Sequence, residues 1–250
     1  MRRDQISLQL YTVREHTARD LPDTLRRLAG MGYAAVEFAG FGGLSTRDLR
    51  PVLDDLGLRA SGAHVPLEDW ETDPGGVISD LHTLNCAHAV VPILPPDRRD
   101  GAEVSRLAES FNRWGGACRA EGITLSYHNH DFEFARSGDA TLWEALVSET
   151  DPDLVHLELD LYWIKYGGTD PEAVLRDVGH RVSLVHLKDM APDATRSDLP
   201  VGEGTMPWPE LLRTADELGV EWYVAEQDNP RDAMADVEVS LRSLEGLAEG

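Results

Sequence analysis

Residues 20–38 read DLPDTLRRLAGMGYAAVEF, and the pattern of this stretch decides the fold. Leu21, Leu25 and Leu28 recur at helical spacing behind Asp20, a residue type that accepts the free N–H groups of a helix start. Gly32 suits the left-handed residue that ends a helix, and AAVEF then reads as a short strand. The same turn recurs at Leu56-Gly57-Leu58 before RASGAH, at Glu121-Gly122-Ile123 before TLSYHNH, and at Leu218-Gly219-Val220 before EWYVAEQ. Ser45 with Asp48 resembles a capping box ahead of Leu49, Val52, Leu53 and Leu56.

Extended along the chain, this reading predicts eight strands, over roughly 5–10, 33–38, 58–64, 88–94, 123–129, 154–160, 181–188 and 221–227. A helix-like segment follows each. Alternating strands and helices imply parallel pairing, because a parallel connection needs a crossover. Eight such units in 250 residues are the size of a (β/α)8 TIM barrel. An open doubly wound sheet is the runner-up, but no GxGxxG follows the first strand. No low-complexity linker interrupts the chain, so residues 1–250 are expected to form a single barrel domain.

Composition narrows the function. At 42% hydrophobic and 27% charged the chain can bury a core, and no apolar run approaches the ~20 residues of a membrane span. Met1-Arg2-Arg3-Asp4 opens directly into an alternating segment, which is no signal peptide; two cysteines, Cys86 and Cys118, make no disulfide framework. A cytoplasmic protein is the expectation. Forty-five acidic against 23 basic residues give a net charge of −22, which repels a phosphate backbone and excludes nucleic-acid partners. There is no GxSxG elbow, no P-loop and no HExxH.

The parity of side chains along the strands locates the chemistry. Val155, Leu157, Leu159 and Leu161 form an apolar face for the helices, which sends His156, Glu158 and Asp160 towards the barrel interior. By the same rule His128 and His130, His186 and Lys188, and Glu226 face inward, while Glu37 and His64 end their strands. Active sites of this fold lie at the C-terminal strand ends. One interior His or Glu alone reads as a hydrogen-bonded structural residue. The convergence of His128, Asp160, His186 and Glu226 from four consecutive strands instead suits a divalent metal, and two imidazoles with two carboxylates favour Mn, Co, Zn or Fe(II) over Ca or Mg.

His156 and Glu158, deeper in their strand, read as packing, and His16, His82, His88 and His180 fall outside the site. Cys86 and Cys118 read as small core residues. Trp163, Tyr166 and Trp70 are open between pocket wall and packing, with Trp163 taken as the substrate contact. The long segment of about 189–207 reads as a lid and leaves Glu203 open as a further contact.

With those residues placed, the chain resembles the sugar phosphate isomerase/epimerase superfamily, the xylose isomerase-like TIM barrels. The motifs run nearly end to end: SLQLYTVRE (7–15), GYAAVEFAGF (32–41), SGAHVPLE (61–68), GITLSYHNHDFEF (122–134), LELDLYW (157–163), VHLKD (185–189), VGEGTMPW (201–208) and YVAEQD (223–228). The resemblance implies a Mn-like metal at the ends of strands five to eight, with Asp160, His186 and Glu226 matching three of its ligand positions. Ketose epimerases of this superfamily carry a glutamate at the end of strand five; here that place is His128, with Glu133 nearby as the alternative. A two-glutamate epimerisation therefore does not carry over. The implied activity is isomerisation or epimerisation by proton abstraction next to a carbonyl of a keto-sugar or related polyol. A dehydratase or lyase of the inosose or keto-glycoside type is the alternative. Glu226, His128, His130 and Lys188 are the expected acid/base and electrostatic groups; Glu37, His64, Gln227 and Trp163 are the expected substrate contacts. A small sugar or cyclitol is the expected partner, with homo-oligomerisation open.

Overall fold

A computed structural model describes residues 1–137 and 140–248. Eight parallel strands close into a barrel in the order β1-β8-β7-β6-β5-β4-β3-β2. They are β1 (Ile6–Gln9), β2 (Ala35–Ala39), β3 (Arg59–His64), β4 (His88–Val91), β5 (Thr124–His128), β6 (Val155–Asp160), β7 (Val182–Leu187) and β8 (Trp222–Ala225). Each of the eight predicted strands is present, most trimmed by a residue or more, while β2 starts two residues later and ends one residue later than predicted. The outer ring comprises α1 (Leu21–Met31), α2 (Thr46–Leu56), α3 (Pro74–Leu84), α4 (Gly101–Ala120), α5 (Leu142–Glu149), α6 (Pro171–Val178), α7 (Trp208–Glu217) and α8 (Ala233–Ala248).

The local signals act as their chemistry dictates. Asp20 accepts from the Asp23 N–H and Ser45 from the Asp48 N–H, each satisfying a free donor at a helix start. Gly32 closes α1 at φ 113°, a backbone that a side chain would strain. Outward-facing strand residues such as Val36, Leu125, Leu157, Leu159, Val185 and Tyr223 are buried under the helices. Cys86 and Cys118 are buried without a disulfide. Trp70 is fully buried and stacks on Trp114 at 5.7 Å, so it packs the outer layer and does not wall a pocket.

Two irregularities shape the interior. The β2–β3 register shifts between Val36 and Glu37, pairing Glu37 with Gly62. The β6–β7 register shifts between Leu157 and Glu158, pairing Glu158 with Leu184 and Asp160 with His186. Both re-aim a carboxylate at the barrel axis.

The segment after β7 is not a free lid. Asp189–Met190 pairs antiparallel with Asp198–Leu199, and the buried Asp189 carboxylate accepts from four donors: the N–H groups of Met190, Gly202 and Met206 and the indole of Trp208. One carboxylate that satisfies four donors ties the loop into the fold. Among the described residues no helix is long and apolar enough to cross a membrane.

Candidate active site

At the C-terminal end of the barrel, β5 to β8 bring His128, Asp160, His186 and Glu226 together, with one ligand atom from each within 4.8 Å of the others. All four residues are buried. His186 Nδ1 lies 2.8 Å from Glu226 Oε2, and His128 Nε2 lies 3.8 Å from Asp160 Oδ2. Asp160 is held in place from both sides. Its Oδ1 accepts from the Trp163 N–H at the start of the helical turn Leu161–Tyr166, and its own N–H donates to Asn129.

Lys188 lies among these carboxylates. Its ammonium is 2.8 Å from Asp160 Oδ2, 2.7 Å from Glu226 Oε2 and 2.9 Å from Asp228 Oδ2, at 1% side-chain exposure. Burial alone would lower the lysine, but the three carboxylates outweigh it and hold the ammonium well above the usual range. Burial likewise works to raise Glu226, yet Lys188 and His186 hold it well below the usual carboxylate range.

Beneath this quartet is a second group: His64, His128, Glu158 and His186. Glu158 Oε2 lies 2.7 Å from His64 Nε2 and 2.9 Å from His128 Nδ1. Glu37 Oε2 lies 2.7 Å from His186 Nε2 and accepts from Gln9 Nε2 at 2.9 Å. Glu37 and Glu158 are both fully buried. Glu158 thus pairs with two imidazoles where the sequence suggested passive packing. Glu37, expected as a substrate contact, lies below His186, in space left by the missing side chain of Gly62, where a Cβ would come within 2.3 Å of Glu37 Oε1. The neighbouring His156 does act structurally, pairing with Ser183 Oγ at 2.8 Å.

Glu133 does not reach the quartet. Its carboxylate accepts from Tyr127 Oη at 2.6 Å and from the His130 N–H at 2.8 Å, and burial pushes it up to about 7. His130 lies 5.8 Å, ring to ring, from Trp163; burial, with His128 and Lys188 next, pushes it down to about 2, so it is a neutral and weak proton acceptor. His82 and His88 pair with Glu121 and Glu221, away from these groups.

A cavity of about 460 Å³ opens over the quartet, lined by Tyr11, His64, Ile93, His130, Lys188 and Asp228, among others. Gln227 and Trp163 instead line an adjoining cavity of about 520 Å³ with Tyr162, Tyr166, Glu203 and Arg231. Trp163 stands at the boundary of the two, its ring 5.5 Å from the Lys188 ammonium. Asp228 escaped the sequence reading although it shares parity with Glu226 and follows it by two residues. Burial is the largest influence on it and, against the pull of Lys188, leaves it raised to about 6.

A profile of the xylose isomerase-like TIM barrel family matches residues 25–247. The chain belongs to this family. Among solved structures, a sugar phosphate isomerase/epimerase from Parabacteroides distasonis superposes with a TM-score of 0.82 at 26% identity, over 96% of this chain and 93% of that one. Among curated relatives, an inosose dehydratase from Geobacillus kaustophilus is 26% identical over 72% of this chain and 64% of its own length. Another from Clostridium beijerinckii is 28% identical over 49% of this chain and 47% of its own. The chain thus spans about half to two-thirds of these dehydratases.

The donor set fits the divalent cation that this xylose isomerase-like site implies. Two imidazole nitrogens and two carboxylates converge, and the buried Asp160 Oδ2 faces Lys188 Nζ at 2.8 Å and His128 Nε2 at 3.8 Å. His128, Asp160, His186 and Glu226 would hold it.

Proposed function

We propose that the chain is a divalent-metal-dependent enzyme, Mn being the first candidate, that removes a proton next to the carbonyl of an unphosphorylated keto-sugar or cyclitol. The observation that carries this is the convergence of the four ligand atoms within 4.8 Å at the floor of a cavity wide enough for one sugar ring. A C–H beside a ketone is too weak an acid to ionise at neutral pH unaided; the bound cation supplies Lewis-acid stabilisation of the charge that develops on oxygen.

The chain's own residues do the rest. Glu226 and Asp228 are the carboxylates that flank the cavity on the β8 side, and one of them takes the proton. Lys188, in contact with both, donates a hydrogen bond to the oxygen that gains charge or leaves. His64 and His130 contact hydroxyls of the ring from the opposite wall. Trp163, Gln227 and Glu203 hold whatever part of the substrate extends into the adjoining cavity.

Expulsion of a β-hydroxyl as water after the proton is removed gives a dehydratase, and we take this as the first reading. It is supported by the curated relatives and by the residue at the end of β5: the imidazole of His128, tied to Glu158, stands where an epimerase places a second carboxylate. Reprotonation at the same or the neighbouring carbon, giving an epimerase or isomerase, is the second reading, supported by the Parabacteroides distasonis structure. The test is incubation of the Mn-loaded protein with inososes, keto-sugars and 3-keto-glycosides in D2O. Deuterium next to the carbonyl supports proton abstraction; an enone product identifies the dehydratase. Conversion of a substrate with its original hydrogen retained refutes the proposal.

A further inference from the structure

Histidine has two ring nitrogens, and a neutral imidazole carries one proton and one lone pair. In this chain both ring nitrogens of His128 and of His186 face carboxylates, one above and one below. Something has to decide which nitrogen carries the proton.

We propose that Glu158 and Glu37 are positioning residues that make this choice: they hold the protons of His128 Nδ1 and His186 Nε2 below, so that His128 Nε2 and His186 Nδ1 present lone pairs to a cation above. This rests on the metal-dependent reading just given, and the distances supply the rest. Glu158 Oε2 is 2.9 Å from His128 Nδ1, and Glu37 Oε2 is 2.7 Å from His186 Nε2. Each of these carboxylates takes a second donor that fixes it: His64 Nε2 at 2.7 Å for Glu158, and Gln9 Nε2 at 2.9 Å for Glu37. Neither carboxylate reaches solvent, so neither can trade its imidazole for water. A buried carboxylate behind a ligating imidazole fixes tautomer and ring angle and raises the basicity of the free nitrogen.

The inner group of His64, His128, Glu158 and His186 thus gains a role other than metal binding. A cation there would need the lone pairs of His128 Nδ1 and His186 Nε2, and the outer carboxylates would then face protonated nitrogens. The two cation positions are mutually exclusive for neutral imidazoles, and the inner carboxylates choose the outer one.

The experiment uses the full chain loaded with Zn, which is diamagnetic, and with Mn. Imidazole 15N spectra of the Zn-loaded protein are expected to show a protonated Nδ1 on His128 and a protonated Nε2 on His186. Metal affinity measured by chelator competition should fall 10–100-fold in Glu158→Gln and in Glu37→Gln. Glu158→Asp should recover part of the loss, which a purely structural role would not predict. Thermal unfolding of each metal-free variant separates a lost fold from a lost tautomer, and the spectrum of the unmutated protein tests the claim where a variant fails to fold.

Wild-type affinity in both Gln variants, or His128 bound through Nδ1, overturns the inference. If Asp160→Asn and Glu226→Gln still cost the metal while the Gln variants do not, the inference alone fails. If Asp160→Asn and Glu226→Gln keep wild-type affinity while His64→Ala loses it, the cation lies in the inner group, and the outer reading fails with the inference.

Discussion

Lys188 places a fixed positive charge where the proposed cation must also sit. A divalent cation about 4 Å from an ammonium is repelled by roughly 8 kcal/mol at an effective dielectric of 20, so the lysine works against metal affinity. Lys188→Met is therefore expected to bind Mn at least about tenfold more tightly by calorimetry while losing most of its turnover, because the ammonium that supports the developing charge is gone. Glu133 offers a second test at this scale. Burial raises its folded-state value to about 7, above an unfolded value near 4.3, so the protonated form is the one that folding favours. Its contribution is whole below the unfolded value and is lost as pH rises through 7; the linkage amounts to at most about 4 kcal/mol. Urea unfolding between pH 5 and pH 8 should show the wild type losing stability relative to Glu133→Gln; parallel curves would refute this. Single residues were also where sequence parity reached its limit. It put Asp160, His186 and Glu226 on the interior face and Glu158 deeper on the same face, but says nothing of what a deeper carboxylate meets across the barrel. Glu158 meets His64 and His128 from other strands, and the register shift between Leu157 and Glu158 is a pairing that neither strand's own residues encode.

At the scale of elements, β2, β3, β4, β5 and β8 were legible because each follows a helix that ends at a residue with left-handed backbone. Gly32, Gly57 and Gly219, with φ of 113°, 65° and 81°, mark three of those ends. The loop after β7 was not legible in this way. Its length suggested a lid, and nothing in its composition announces that Asp189 gathers four donors from Met190, Gly202, Met206 and Trp208. Those contacts join positions up to 19 residues apart, beyond any local pattern. The pinned loop gives a direct prediction. Asp189→Asn keeps one accepting oxygen but turns an N–H2 group towards two N–H donors, a cost of about 1–3 kcal/mol for each donor left unsatisfied. The segment should then open locally while the barrel stays folded. Brief trypsin treatment is expected to cut after Arg196 in the variant, whose chain is otherwise tied there to the carbonyls of Lys165 and Tyr166, and to leave the wild type intact. Equal resistance of the two would show that Asp189 is not what holds the loop.

For the molecule as a whole, the net charge of −22 is matched by acidic cavity walls: Asp69, Glu226 and Asp228 in one, Asp198, Glu203 and Asp236 in the other, against Lys188 and Arg231. A keto-sugar is therefore expected to have a higher kcat/KM than its phosphate ester, with the gap narrowing as salt screens the repulsion. A phosphate ester preferred at low salt would contradict this. The order of the ring carries a consequence of another kind. β1 pairs with β8, joining Ile6, Ser7 and Leu8 to Tyr223, Val224 and Ala225 across more than two hundred residues of sequence. Glu37 and His64, from the first third of the chain, likewise meet Glu158 and His186 from its second half. A nascent chain leaving the ribosome thus cannot close its barrel until its last strand has emerged, and for most of its synthesis the early strands wait with an unpaired edge. The four residues proposed to hold the cation all lie in the second half of the chain. A ribosome stalled so that residues 1–219 have emerged should hold a chain that is protease-sensitive and takes up no metal, whereas release of the full chain should yield protease resistance and metal uptake in one cooperative step.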